Sequence, residues 1–174
     1  ACYDEGKRCA ETLCADYLRE YGVDVRLVRI FNTYGPNMHP HDGRVVSNFI
    51  MQALQGKDLT IYGTGEQTRC FCHVADTIRA VEGLMEEGEA VGQVYNIGHE
   101  YEITIMDLAK RVKERTGSDS PIQVVPYDEA YESGFEDMQR RRPDTTKIHK
   151  LLGWEPSHDM DAIIDSVVEY MGAK

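Results

Sequence analysis

Apolar residues recur at intervals of three and four in several stretches of the chain, which is the spacing of one face of a helix. The first stretch runs through Leu13, Tyr17 and Tyr21 and stops at Gly22, a residue type that readily ends helices in the left-handed conformation. Asp76 and Thr104 are suited to cap the starts of two further helices. The same spacing predicts helices over 46–54, from 76 through 85, from 104 to about 117, over 144–152 and over 160–171.

Shorter segments with alternating or β-branched residues separate these helices and predict strands over 24–30, 59–62, 70–74, 94–98 and 122–125. Gly63-Thr64-Gly65 predicts a tight turn, and 127–143 has no period and predicts a loop. Strands that alternate with helices indicate an α/β fold. The few short strands leave the predicted sheet incomplete.

Composition excludes several classes of protein. The 174 residues are 41% hydrophobic and 28% charged, which is ordinary for a packed globular chain. A formal net charge of −11 argues against a nucleic-acid-binding protein, because contacts to phosphates need clustered Lys and Arg. No apolar run is long enough to span a membrane, and the N-terminal residues show no signal-peptide pattern.

The five cysteines are spread through helix and strand patterns, which favours reduced thiols and a cytoplasmic protein over a disulfide framework. Cys70-Phe71-Cys72-His73 and His39-Pro40-His41 contain metal-ligating residue types, but neither has the spacing of a zinc site. Alternate residues on a strand explain Cys70 and Cys72 as packing residues. We therefore predict no metal.

Tyr3 and Lys7 lie four residues apart in the first predicted helix, so their side chains share one face. A cation one turn away favours the charged phenolate form of a tyrosine, which can then accept a proton. The spacing alone is equally that of a solvated helix surface. It makes Tyr3 and Lys7 candidates for catalysis.

An ordered series of motifs runs through nearly the whole chain and resembles the C-terminal half of the extended short-chain dehydrogenase/reductase family of NAD-dependent epimerases and dehydratases. Among the members of that family, the series is most similar to the UDP-glucuronate decarboxylase group. The motifs are Tyr3-x-x-x-Lys7, R-I-F-N-T-Y-G-P (29–36), D-G-R-V-V-S-N-F-I (42–50), L-T-I-Y-G-T-G-E-Q-T-R (59–69), F-C-H-V-A-D (71–76), Y-N-I-G (95–98), R-R-P-D (141–144) and L-G-W-E-P (152–156).

The resemblance implies an α/β fold in which the last strands and helices of a Rossmann-like parallel sheet are joined to a small α+β substrate-binding domain. Residues 1–35 would be the remnant of the NAD-binding domain, and 36–174 the nucleotide-sugar-binding region, with some segments returning to the sheet. No glycine-rich dinucleotide loop opens any helix. We therefore expect a C-terminal portion of a longer enzyme that is inactive alone, although NAD serves the full-length enzyme.

The resemblance also implies roles for individual residues. Tyr3 would be the proton acceptor and Lys7 would hold the nicotinamide ribose, so both are catalytic and cofactor-binding candidates. Arg69 would bind the substrate diphosphate, and Arg141 would bind near the sugar, although Arg140 and Arg142 adjoin it and a slip of one residue would reassign that role. The remaining substrate-binding candidates are Asn32, Arg44, Val45, Asn48, Thr60 and Tyr62.

Purely structural roles could also explain these residues. Arg69 could form a surface ion pair, and the other substrate-binding candidates could serve core packing or capping. The helix that carries Tyr3 and Lys7 resembles the homodimer interface of the family, but an ordinary core helix fits its pattern as well.

The function implied is that of a UDP-glucuronate decarboxylase, which oxidises C4 of the UDP-sugar, releases CO₂ and reduces the ketone again. A UDP-sugar 4-epimerase and a dTDP-glucose 4,6-dehydratase are the alternatives with related chemistry, and a non-catalytic nucleotide-sugar-binding module is an alternative of another class. His73, where Tyr is commoner, and the segment 131–137 both depart from the decarboxylase pattern and leave the subgroup open.

Overall fold

The computed structural model describes residues 2–130 and 138–172, and the segment 131–137 singled out above lies outside them. The helices are α1 (Cys2–Tyr21), α2 (Val45–Leu54), α3 (Val74–Glu86), α4 (Ile105–Thr116), α5 (Tyr127–Ala130), α6 (Thr146–Leu152) and α7 (Met160–Gly172). The strands are β1 (Leu27–Ile30), β2 (Thr33–Tyr34), β3 (Leu59–Tyr62), β4 (Thr68–Arg69), β5 (Cys72–His73), β6 (Val94–Ile97), β7 (Ile103–Thr104), β8 (Ile122–Val125) and β9 (Arg140–Arg141).

Parallel pairing dominates the strands. β1 pairs with β6, β2 with β5 and β3 with β8, each in parallel, and at least one helix lies between the partners in the sequence. β4 is the centre of a small mixed sheet, antiparallel to β7 and parallel to β9. Parallel strands joined through helices define an α/β fold, so the predicted fold class is confirmed. The domain boundary at residue 35 stays a prediction.

Two hydrophobic clusters hold the elements together. The larger one gathers the apolar faces of α2, α4 and α7 around β3, and Phe49, Leu59 and Ile163 are among its fully buried side chains. The smaller one joins α3, β6 and α6 around Leu84 and Trp154. The intervals of three and four seen in the sequence are the buried faces of these helices.

Helix α1 is different because none of its residues is buried. Its attachment to the rest of the chain includes a bidentate ion pair in which Arg29 donates to Glu11, both nitrogen-oxygen distances being 2.7 Å. Leu13, Tyr17 and Tyr21 are more than half exposed. Within this chain α1 is therefore a surface helix, and the alternative of an ordinary core helix does not describe it.

The structure corrects several element boundaries. Asp76 is not a capping residue, because α3 begins at Val74 and the cap is His73, whose Nδ1 accepts from Ala75 N at 3.2 Å. Thr104 caps α4 as predicted, since its hydroxyl accepts from Asp107 N at 3.0 Å. The strand predicted over 70–74 shortens to β5, and the predicted loop over 127–143 contains α5 and β9. None of the described helices is long and apolar enough to cross a membrane.

Candidate functional site

A cleft of about 280 Å³ opens where α2 begins and β3 ends. Six of the ten predicted site residues line it: Asn32, Val45, Asn48, Thr60, Tyr62 and Arg69. These residues come from segments up to 37 positions apart, since 69 − 32 = 37. Ends of strands and starts of helices meet at this cleft, which is where ligands of α/β proteins bind.

Hydrogen bonds fix two of the lining residues. Asn32 follows β1 and donates from Nδ2 to the Cys70 carbonyl at 3.3 Å, while its own carbonyl accepts from Cys72 N at 2.9 Å. Thr60 N donates to Gln52 Oε1 at 3.2 Å, and Gln52 Nε2 lies 3.5 Å from the Thr60 hydroxyl. Hydrogen bonds therefore connect Asn32 and Thr60, two residues of the cleft wall, to β5 and to α2.

Arg69 brings positive charge to the cleft. Its Nη1 donates to the Thr68 carbonyl at 2.7 Å, and the residue is half-buried. Arg44 lies beside the cleft between two lining residues, Gly43 and Val45, but its exposed side chain pairs with Asp42 at 3.7 Å and does not line the cleft. The structure thus brings Arg69 to the predicted place and leaves Arg44 at the rim.

The three consecutive arginines after residue 139 have different environments. Arg140 donates twice to Glu102, at 2.8 and 2.6 Å, and Arg142 donates to Glu100 at 2.5 Å. Arg141 instead packs with its guanidinium carbon 5.4 Å from the centre of the Phe31 ring.

Strand register gives Arg141 its neighbour. In the parallel pair of β4 and β9, Arg141 is the direct partner of Arg69, and side chains directly opposite each other lie on the same face of a sheet. Among the side chains that the structure describes, the ion pairs of Arg140 and Arg142 have no counterpart at Arg141. It does not line the cleft itself, but it places a second cation next to Arg69.

Tyr3 and Lys7 are near each other but are not part of the cleft. Lys7 Nζ lies 5.5 Å from the centre of the Tyr3 ring, as expected for one turn of α1. Tyr3 is 70% exposed. The helix presents both side chains on an exposed face, and their catalytic role stays a prediction.

Sequence reasoning missed two residues at the end of β3. Gln67 is buried and donates from Nε2 to the Tyr62 carbonyl and to the Tyr127 hydroxyl, each at 3.0 Å. Tyr127 lies in the segment that was predicted to be a loop. Gln67 belongs to the motif over 59–69 and was visible there, whereas 60 residues separate it from Tyr127 and no local pattern joins the two.

A buried carboxylate, that of Asp76, joins α3 to the segment just before α7. Asp76, 1% exposed, accepts from Ser157 N and Oγ at 3.1 and 2.7 Å, from His158 N and Nδ1 at 3.0 Å, and from Arg79 at 2.7 Å. Burial acts to raise the pKa of Asp76, but these hydrogen bonds outweigh it and lower the pKa to about 2. The ring of His158 stacks on His73 with centres 4.2 Å apart.

The cysteine and histidine pairs noted in the sequence have no ligand geometry. Burial raises the pKa of both Cys70 and Cys72 to about 11, so both are protonated thiols at neutral pH. In the described part of the chain no three His, Cys, Asp or Glu residues converge as a metal site would require. All five cysteines are free thiols.

Comparison with known proteins places these features in a family. The sequence profile of GDP-mannose 4,6 dehydratase matches residues 1–167. UDP-glucuronic acid decarboxylase 1 of Danio rerio is 46% identical over 170 residues, which are 98% of this chain and 39% of that protein. The chain thus spans about two fifths of the length of this curated relative.

Solved structures agree with the sequence match. The UDP-glucose 4-epimerase of Thermotoga maritima with UDP-glucose is 32% identical, with a TM-score of 0.86 over 95% of this chain and 52% of that chain. The UDP-glucuronic acid 4-epimerase of Bacillus cereus in complex with UDP-glucuronic acid and NAD is 25% identical, with a TM-score of 0.81 over 94% of this chain and 50% of that chain. The resemblance read from the motifs is confirmed: this chain belongs to the GDP-mannose 4,6 dehydratase family of NAD-dependent epimerases and dehydratases.

Proposed function

We propose that this chain is the substrate-binding portion of an NAD-dependent nucleotide-sugar enzyme, and that the reaction is decarboxylation of UDP-glucuronate. The observation that carries the proposal is the cleft in which Asn32, Asn48, Thr60 and Arg69 converge with the start of α2. The identity of 46% to a UDP-glucuronic acid decarboxylase favours that reaction over the alternatives. Oxidation at C4, loss of CO₂ from the resulting β-keto acid and reduction of the ketone complete the reaction.

The diphosphate of the substrate needs cations, and Arg69 in the cleft has Arg141 as its direct neighbour outside the lining. Arg69 and Arg141 lie side by side through the register of β4 and β9. Planar guanidinium groups bind phosphate oxygens through two parallel hydrogen bonds, which a lysine cannot reproduce. The ion pairs of Arg140 and Arg142 with carboxylates favour Arg141 as the substrate arginine of the three.

The exposed face of α1 fits the nicotinamide end of NAD. Tyr3 and Lys7 share that face, and an ammonium and a phenol one turn apart suit a ribose hydroxyl and a reacting hydroxyl. When bound, NAD supplies the hydride acceptor for oxidation at C4. Tyr3 takes the proton of the C4 hydroxyl, and Lys7 holds the ribose.

Helix α1 also supports a homodimer. Its exposed Leu13, Tyr17 and Tyr21 form an apolar stripe at intervals of four, and α1 buries none of its residues within the chain. The proposal is that this stripe packs against the same helix of a second copy. Sedimentation of the complete protein should show a dimer that Tyr17→Glu converts to a monomer.

Product analysis tests the reaction. The complete protein with UDP-glucuronate and NAD should release CO₂ and give a UDP-pentose. A UDP-hexuronate epimer as the only product would make it a 4-epimerase, and tight UDP binding without turnover would make it a binding module. Failure to bind UDP at all would refute the role of the cleft.

A further inference from the structure

Strand β9 has a register that its own residues cannot specify. Arg140 and Arg141 form the strand and Arg142 follows it, so three identical side chains stand in a row. Register is set mainly by the alternation of apolar and polar residues, and a run of identical polar side chains has no such alternation. A shift of one residue would still place an arginine opposite Arg69. The observed register therefore needs a cause outside β9.

Glu102, the residue just before β7, supplies such a cause. Its carboxylate accepts from Arg140 Nε at 2.8 Å and Nη2 at 2.6 Å, and its Oε1 also accepts from the Thr68 hydroxyl at 2.9 Å. Thr68 and Arg140 are direct partners in β4 and β9. A shift of one residue would move Arg140 by about 3.3 Å and turn its side chain to the other face. One carboxylate can therefore bind both side chains only in the observed register.

Glu100 holds the neighbour on the other side of Arg141. Arg142 Nη2 donates to Glu100 Oε2 at 2.5 Å, and Glu100 Oε1 accepts from Thr145 N at 3.1 Å and from the Thr145 hydroxyl at 2.6 Å. Successive residues of an extended strand point to opposite faces. Arg140 and Arg142 therefore point to glutamates, while Arg141 between them faces the other way.

The place that Arg141 occupies also depends on the register. Its guanidinium carbon lies 5.4 Å from the centre of the Phe31 ring. Phe31 and Pro143 meet at Gly98, where a Cβ would lie 2.9 Å from Phe31 Cβ and 3.1 Å from Pro143 Cγ. Since Pro143 follows Arg141 by two residues, a shift of β9 by about 3.3 Å would take Pro143 out of this contact and Arg141 off the ring.

We propose that Glu102 and Glu100 are positioning residues for Arg141, because they bind the arginines on either side of it and hold β9 in the register that places Arg141 next to Arg69. This assignment rests on the proposed function, in which Arg69 and Arg141 bind the diphosphate of a UDP-sugar. Guanidinium groups bind phosphate through directed hydrogen bonds, so their supporting residues must fix them closely. Molecules in any other register do not contribute to affinity.

The affinities of UDP and uridine for the complete protein test the assignment. Glu102→Gln keeps the size of the side chain but removes its charge and turns an amide donor toward Arg140. It should weaken UDP by about three- to tenfold, the result of leaving about a third to a tenth of the molecules in the competent register. Uridine has no phosphate, so its affinity should stay within about twofold.

Asp161→Asn is the matched control. It breaks another bidentate pair, in which Arg111 donates to Asp161 at 2.6 and 3.0 Å between α4 and α7. It should leave the affinities of both ligands within about twofold even if it lowers stability. Unchanged UDP affinity in Glu102→Gln, or an equal loss for uridine, would overturn the assignment. Tighter binding of UDP would also overturn it, because Glu102 would then compete with the ligand for an arginine.

A double-mutant cycle separates this assignment from the proposed function. Arg141→Ala should weaken UDP by about 10- to 100-fold. If Glu102 acts by placing Arg141, adding Glu102→Gln to Arg141→Ala should weaken UDP no further, and additive losses would refute the assignment alone. A wild-type protein that binds no UDP, or an Arg141→Ala protein that binds it as tightly as wild type, would overturn the proposed function and this assignment with it.

Variants of Arg140 cover the case in which Glu102→Gln fails to fold. Arg140→Met breaks the same contact from the other side and should match the UDP loss expected for Glu102→Gln. Arg140→Lys keeps a charge for Glu102 but not the planar fork, so it should recover part of the affinity. A loss in Arg140→Met as large as that in Arg141→Ala would show that Arg140 binds UDP itself and would contradict the assignment.

Discussion

The carboxylate of Asp76 should contribute a measurable, pH-dependent share of the stability of the fold. Its hydrogen bonds join the first turn of α3 to Ser157 and His158 just before α7, and the side chain is 1% exposed. The pKa of Asp76 falls from its ordinary 3.8 to about 2 in the folded chain. At about 1.36 kcal/mol per pKa unit, the charged form stabilises the fold by about 2.5 kcal/mol relative to the neutral form.

The pH window follows from the sign of this shift. A carboxyl whose pKa is lowered on folding adds stability that is complete above the unfolded pKa of about 4 and disappears as pH falls toward about 2. Asp76→Asn removes the charge and turns an amide donor toward groups that also donate. We expect a loss of about 3 to 4 kcal/mol at pH 7, since breaking a buried charged network leaves donors without acceptors.

Urea unfolding of wild type and Asp76→Asn at pH 7 and pH 3 measures both quantities. The difference between the two proteins should narrow by about 1 kcal/mol between these pH values, because part of the wild-type contribution is already lost at pH 3. Asp107→Asn is the matched control, since Asp107 pairs with Lys110 on the exposed surface of α4 and should cost far less. A difference between wild type and Asp76→Asn that is the same at both pH values would refute the reasoning.

Four other predictions concern the site and the titration of the histidine stack. In the complete protein, Tyr3→Phe should lower turnover about a thousandfold and leave KM within a few-fold of wild type, because it removes a proton acceptor and little substrate binding. A variant that keeps a tenth of the wild-type activity would contradict the role of Tyr3 as proton acceptor. Arg69→Ala should weaken UDP by about 10- to 100-fold, with partial recovery in Arg69→Lys, and an equal loss for uridine would assign Arg69 to the fold. The isolated 174-residue chain should give no heat with NAD in titration calorimetry, because it contains no glycine-rich pyrophosphate loop, and a micromolar Kd would contradict this. Burial and the neighbouring His158 lower the pKa of His73, whose Nδ1 must be unprotonated to cap α3. The free energy of unfolding of wild type should therefore fall relative to that of His73→Asn as pH falls from about 7 to 5. Parallel plots of unfolding free energy against pH for the two proteins would contradict this role of His73.

The local pattern of the sequence was enough to predict most helices and the strands of the main pairs. Helix α2, for example, is predicted because Val46, Phe49, Ile50 and Ala53 follow one face, and these are the residues that the core buries. Such spacing involves only neighbours along one turn, so it is readable without knowing what packs against the helix. The motifs over 29–69 likewise predicted lining residues of the cleft, because each motif holds several of them within a few positions.

The local sequence pattern could not predict which distant segments contact each other. Asp76 looked like a cap, yet its carboxylate binds Ser157 and His158 more than 80 positions later and leaves the cap to His73. The sequence left open which of three arginines adjoins Arg69, and the register of β4 and β9 puts Arg141 opposite it. A shift of one residue in that register would turn Arg141 to the other face of the strand, and no local pattern fixes it.

The sequence by itself therefore determined the fold class, the family and the residue types of the site, since these depend on periodicity and on motifs of consecutive residues. Tertiary structure alone decided which arginine adjoins Arg69, that Gln67 holds Tyr127 against Gly63, and that α1 stands on the surface with its apolar face uncovered. Each of these depends on how segments far apart in the chain pack and pair, and the free energy of such contacts depends on their geometry in space rather than on their spacing in sequence.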